Sequence, residues 1–151
     1  MTEHGVPELR AATSADLDAV LEFWSRSAED AHRPADTRLS LERLLARDSE
    51  AMTIAVDGGD VVGSLISGWD GWRFHLYRLA VDPKRRRERI AHDLLERAEL
   101  RLVALGAVRI DAMVLGDNAD AHQFWRAHGY EPQAEWNRWI KAVSAALEDA
   151  Q

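Results

Sequence analysis

The sequence predicts one α/β domain: a mixed central β-sheet flanked by helices, in the order β-α-α-β-β-β-α-β-α-β-β. Three observations lead there. The 151 residues, 46% hydrophobic and 30% charged, suffice for one core and have the balance of a globular chain. Apolar residues switch along the chain between helical spacing and period two, so helices and strands both occur. Near the middle, a short apolar run at residues 79–81 passes through a cationic turn into an amphipathic stripe, the order of a crossover between parallel strands.

Residues 8–12 make the first strand. Thr13 and Asp16 have capping-box spacing, and Leu17, Val20, Leu21 and Trp24 form the apolar stripe of a first helix. A second helix spans residues 39–47, with Leu41, Leu44 and Leu45 on its buried side. From residue 51 the period becomes two. Residues 52–56, the turn Asp57-Gly58-Gly59-Asp60 and residues 61–66 read as a hairpin. A turn at residues 69–72 and a longer strand at 73–81 follow. Ile90, Leu94, Ala98, Leu102 and Leu105 mark the third helix, and Gly106 stops it. Residues 108–115 form a strand; Asp117 and Asn118 then cap a helix that runs to His128 and ends at Gly129. Two short strands, at residues 130–134 and 136–141, complete a single domain over residues 1–142. The Ala-rich tail, residues 143–151, reads as frayed helix or disorder.

Composition narrows the function. No run of about 18 apolar residues occurs, which argues against a membrane span. The first residues lack the basic and apolar regions of a secretory signal, and the chain has no cysteine, so a cytoplasmic location is expected. Disulfides, thiolate metal sites and a cysteine nucleophile are excluded. The histidines have no metal-ligand spacing, and no metal is expected. The net charge is −7, yet five of the six residues from Lys84 to Arg89 are basic. Nucleic acid ranks last as a partner, because binding along a phosphate backbone needs an extended positive surface. A compact anion suits the turn better. Helix N-termini favour acidic residues, so Arg86, Arg87 and Arg89 ahead of the third helix cost stability unless an anion compensates them.

Two motifs then resemble the GCN5-related N-acetyltransferase (GNAT) superfamily. The first is Leu79-Ala80-Val81-Asp82-Pro83 followed by Arg86-x-x-Arg89-x-Ala91, set against the family's Arg/Gln-x-x-Gly-x-Gly/Ala. The second is Asn118-x-x-Ala121-x-x-Phe124-Trp125 with His128-Gly129-Tyr130, similar to the family's Asn-x-x-Ala-x-x-Phe-Tyr and Gly-Phe/Tyr ending. The resemblance covers nearly the whole chain in element order and implies acetyl-CoA as acyl donor. By that resemblance, the backbone of Leu79, Ala80 and Val81 pairs with the pantetheine arm, and one of its N–H groups polarises the acetyl carbonyl. Arg86, Arg87, Glu88, Arg89, Ile90, Ala91 and His92 surround the diphosphate, Lys84 or Arg85 reaches the 3′-phosphate, and Asn118 contacts the pantetheine. A primary amine on a small molecule or peptide attacks the thioester directly in a ternary complex. Homodimerisation through a sheet edge or the last strands is left open.

Three positions depart from the pattern. Arg89 replaces a glycine and is expected to take helical φ and ψ, which suit both residues. Trp125 stands where many members carry a tyrosine that protonates the leaving thiolate, and Met113 where some carry a catalytic glutamate. His75 and Tyr77 alternate on one face of the strand and are the candidate base and acid, or else strand residues packed under a helix. Glu22, Glu29 and Asp30 are candidates for attracting a cationic amine. Of the six tryptophans, at least half are expected in the core. The alternative to an enzyme is a non-catalytic acyl-CoA-binding or regulatory member of the same fold.

Overall fold

The computed structural model describes residues 5–27 and 34–143. The chain forms two compact units, residues 1–113 and 114–151.

The first unit carries a five-stranded sheet in sequence order, β1 (Glu8–Ala11), β2 (Met52–Asp57), β3 (Asp60–Trp69), β4 (Phe74–Val81) and β5 (Asp111–Ala112). β1 to β4 pair antiparallel, and β4 pairs parallel with β5 across the expected crossover helix. Three helices flank the sheet: α1 (Leu17–Ser27), α2 (Arg38–Arg47) and α3 (Ile90–Ala104). The α1 stripe of Leu17, Val20, Phe23 and Trp24 packs with Met52, Ile54, Ile66 and Ala80 in one buried cluster. On α3, the buried side chains are Ile90, Leu94, Leu95, Ala98 and Leu102. Their close packing on β3 requires Gly63, where a Cβ would sit 3.0 Å from both Ile90 Cγ2 and Leu94 Cδ1.

The expected capping box forms at the start of α1, where the Thr13 N–H donates to Asp16 at 2.8 Å. Arg10 grips the same carboxylate through two bonds of 2.8 Å. The Arg10 guanidinium, aided by Thr13, holds the Asp16 carboxyl well below the usual carboxylate range against the opposing effect of burial. A depressed folded-state value means that the unfolded chain binds the proton first. This contribution is therefore complete above about pH 4 and is lost as pH falls toward the folded value. Asp16→Asn is expected to cost about 1 kcal/mol at neutral pH and to flatten the acid limb of the melting temperature measured against pH.

The second unit carries α4 (Ala119–Ala127). Trp125 is its buried centre, edge-to-face with Phe124 at 5.4 Å and with Tyr130 at 4.9 Å. Three expectations need correction. β5 is two residues long rather than eight, because its apolar flanks, Val108 and Met113, are exposed and contribute little burial. The two last strands do not form among the described residues: residues 130–143 contain no strand. Their large side chains remain in solvent, with Trp136 76% and Trp139 92% exposed, so no burial offsets the ordering of a strand. Only Trp24 and Trp125 are buried, which is fewer than half of the tryptophans. Glu29, Asp30 and nearly all of the Ala-rich tail lie outside the described residues. No helix of the described residues is long and apolar enough to cross a membrane.

Candidate active site

The sheet opens along β4. His75 pairs with Asp111 and Leu76 with Ala112, and no pair with β5 continues beyond them. From residue 77 to residue 81 the strand keeps β3 on one side alone. Past the last β5 pair, the Leu79, Ala80 and Val81 backbone has no pairing with β5, so an extended ligand could pair with it there.

Halfway along this open edge, β4 bulges. Ser64 pairs with Ala80 and Ile66 with Tyr77, so Arg78 and Leu79 together oppose Leu65. Arg78 takes a left-handed φ of 55°. Its buried guanidinium lies 4.7 Å from the Trp24 ring centroid and is ion-paired with Asp36, in the segment preceding α2. Sequence reasoning passed over Arg78, because a bulge has no composition signal when no glycine marks it.

At the carboxyl end of β4 the chain enters the cationic turn. The Asp82 carboxylate accepts the Lys84 N–H at 3.0 Å; this bond, with Arg26 3.3 Å away, lowers its pKa despite partial burial. Arg85 is 3% exposed and fully engaged: it meets Glu88 at 2.9 Å, Asp57 at 2.8 Å and the Gly5 carbonyl at 2.8 Å. Arg85 therefore clamps the turn from beneath and is not available to the 3′-phosphate; of that pair, only Lys84 is exposed. Arg86, Arg87 and Arg89 are exposed and enter no ion pair among the described residues. Arg87 and Arg89 both take positive φ, 71° and 66°. Arg89 is the N-cap of α3, with ψ 14° and no side-chain capping bond, so the expectation of helical dihedrals there is wrong. The position that carries glycine in the family pattern is left-handed in this chain and is occupied by an arginine. The uncapped first N–H groups of α3 and three unpaired guanidiniums converge on one turn, an arrangement suited to a compact polyanion. His92, one turn into α3, lies 3.5 Å from Glu96. His92, Asp93 and Glu96 bring donor atoms within 4.8 Å of one another, a spacing ordinary on a solvated helix face.

His75 and Tyr77 share a face as expected, with ring centroids 5.9 Å apart and both side chains partly exposed. The register adds a partner the sequence did not single out: Asp111 Oδ2 lies 3.9 Å from His75 Nδ1, and Arg109 donates to Asp111 Oδ1 at 2.8 Å. The available signal was the period of two, which puts Asp111 on the same strand face as Met113. Met113 lies one residue past the last ladder pair and is half exposed. Glu22 is exposed and faces Arg26 at 3.4 Å.

Asn118 belongs to the second unit. Its side-chain oxygen caps α4 by accepting the Ala121 N–H at 3.1 Å, which leaves its NH2 group as the donor for a ligand. In the same unit, His122 Nε2 contacts the Leu115 carbonyl at 3.0 Å and His128 Nδ1 that of Phe124 at 2.8 Å.

Comparison with known proteins agrees with this geometry. The Acetyltransferase (GNAT) family model matches residues 17–130. An acetyltransferase of Sodalis glossinidius (strain morsitans) is 36% identical over 127 residues, covering 83% of this chain and 88% of that protein. Among solved structures, Ard1 from Thermoplasma volcanium has a TM-score of 0.72 at 19% identity, covering 86% of each chain. AAC(6′)-Iy, solved in complex with the bisubstrate analog CoA-S-monomethyl-acetylneamine, has a TM-score of 0.71 at 14% identity, covering 92% of this chain and 100% of the other. At those identities the two structures speak for the fold. The family match and the sequence relative carry the conclusion: the chain belongs to the GNAT family and is an acetyltransferase.

Proposed function

We propose that the protein is a single-domain N-acetyltransferase that moves the acetyl group of acetyl-CoA to a primary amine on a small molecule or peptide. The observation that supports this most is the open edge of β4 running directly into the arginine turn. The Leu79, Ala80 and Val81 backbone offers ladder groups to the pantetheine amides. One N–H beside the bulge is aimed at the thioester oxygen, where negative charge grows during attack. The N–H groups of residues 87–92, with the Arg86, Arg87 and Arg89 side chains, take the diphosphate. Lys84 lies beside the 3′-phosphate.

The amine must be neutral to attack. Its lone pair forms the C–N bond, the C–S bond breaks, one amine proton passes to a base and the thiolate takes a proton. His75, with the Asp111 carboxylate 3.9 Å away, and Tyr77 are the side chains of this face that can carry those protons, directly or through water. The AAC(6′)-Iy complex supports a CoA-type ligand for this fold.

Titration of acetyl-CoA into the wild type and Arg89→Gly, with thiol release measured on a panel of amines (a polyamine, free lysine, a peptide N-terminus, an aminoglycoside), tests the reading. Wild-type binding and thiol release are expected. Arg89→Gly is expected to gain about 1 kcal/mol of stability, as relief of left-handed strain exceeds the added freedom of the unfolded chain. Its acetyl-CoA affinity should fall with the lost charge. Binding without release on any amine would favour a non-catalytic acyl-CoA-binding module. Absent wild-type binding, restored by the glycine, would mean that Arg89 obstructs the diphosphate.

A further inference from the structure

The bulge in β4 places a non-glycine residue, Arg78, at φ 55°, a conformation that persists only where its surroundings impose it. The surroundings are specific. The Ser64 hydroxyl donates to the Arg78 carbonyl at 2.9 Å, and the Trp24 indole N–H donates to Ser64 Oγ at 2.8 Å. Both bonds are buried, and Ser64 is 0% exposed. The polarity of this chain is fixed by its members. An indole nitrogen can only donate, so the serine accepts from it and has a single proton to give, which goes to Arg78. The same tryptophan lies under the Arg78 guanidinium, 4.7 Å away, while Asp36 pairs with that head group. One indole thus acts on the Arg78 carbonyl through Ser64 and on its side chain directly.

Trp24 and its neighbours Leu17, Val20, Met52 and Ile66 are apolar, and an alanine at position 64 would take from this core the one hydroxyl that joins the indole N–H to the Arg78 carbonyl. At the bulge the Ser64 hydroxyl is the buried donor from which the Arg78 carbonyl accepts. Rotating that peptide would realign the groups that follow it. We infer that Ser64 and Trp24 are positioning residues for acetyl transfer: through the Arg78 carbonyl they fix the bulge and so aim the Leu79–Val81 backbone at the thioester. This rests on the function proposed above, and it assigns to two residues outside the site the job of setting the site's geometry.

The test compares wild type, Ser64→Ala, Ser64→Thr and Trp24→Phe, with Leu102→Val as a control that loosens α3 far from the bulge. Each is assayed for kcat and KM with acetyl-CoA and the best amine of the panel, for melting temperature, and for acetyl-CoA-induced amide shifts at Leu79, Ala80 and Val81. Ser64→Ala is expected to lower kcat about 10²-fold while the KM for acetyl-CoA stays within about threefold, since the diphosphate grip is elsewhere. Ser64→Thr, which keeps the hydroxyl, should recover most of the loss, and Trp24→Phe should fall between. Leu102→Val should melt earlier with kcat unchanged. A Ser64→Ala enzyme whose kcat stays within about twofold of an active wild type overturns the inference and leaves the acetyltransferase reading intact. If the wild type binds acetyl-CoA but accepts no amine on the panel, the amide shifts decide: reduced in Ser64→Ala they support the inference, unchanged they overturn it. A wild type that does not bind acetyl-CoA overturns both.

Discussion

Gly63→Val is expected to destabilise the protein by about 3 kcal/mol and to weaken acetyl-CoA binding at temperatures where the variant is still folded. The site is crowded from three sides. A Cβ at Gly63 would lie 3.0 Å from Ile90 Cγ2, 3.0 Å from Leu94 Cδ1 and 3.3 Å from Ala55 Cβ. All three neighbours are buried, so none can swing into solvent. A single added carbon forces α3 away from the sheet, and valine adds two more. The functional effect follows from position: Ile90 opens α3 immediately after the arginine turn, and Gly63 pairs with Val81 at the end of β4. Lifting α3 at this point separates the turn from the strand edge it must serve. Urea unfolding gives the first number and acetyl-CoA titration the second; Gly63→Ala should show both effects at reduced size. Stability within about 0.5 kcal/mol of wild type would show that α3 does not depend on this close approach.

Arg85→Ala is expected to cost about 3 kcal/mol, the low end for breaking a buried ion pair. Arg85 is the one buried residue of the cationic turn, and each of its donors has a definite acceptor: Glu88, Asp57 and the Gly5 carbonyl. Glu88 raises its pKa first, with Asp57 adding to the effect against desolvation. Removal leaves two carboxylates together without their cation, although both reach water in part, which limits the loss. Arg85→Lys should recover less than half, because a single ammonium cannot serve three acceptors in the guanidinium's fork geometry. Denaturant melts of the two variants settle the point. Equal stability of the lysine variant and the wild type would show that only the charge matters.

Sequence periodicity made most of the first unit legible. The stripes at Leu17, Val20 and Trp24 and at Ile90, Leu94, Ala98 and Leu102, and the hairpin around Gly58 and Gly59, lie where spacing put them. The crossover required a parallel pair, and β4 with β5 is that pair. Hidden features depended on backbone signs or distant partners. Left-handed dihedrals are announced by Gly, Asn or Asp, and arginine at positions 78, 87 and 89 announces nothing. The Arg85–Asp57 clamp joins residues 28 apart, beyond any local pattern. Residues 136–141 read as a short strand, but a strand also needs burial and a partner, and Trp136 and Trp139 remain in solvent. Of the candidate site, the turn and the strand edge could be read; the bulge between them could not.

The same open edge has a consequence for self-association. A strand end that no neighbouring strand covers accepts any extended segment, including one from a misfolded copy of the chain. Five residues, 77–81, are left unmatched by β5. The bulge at Arg78 breaks the flat register that an invading strand would need, and the four exposed cations of the following turn, Lys84, Arg86, Arg87 and Arg89, repel a second copy brought up in parallel alignment. The features assigned to substrate geometry and phosphate charge thereby also act as gatekeepers, which lets the chain keep an unpaired edge in its folded state.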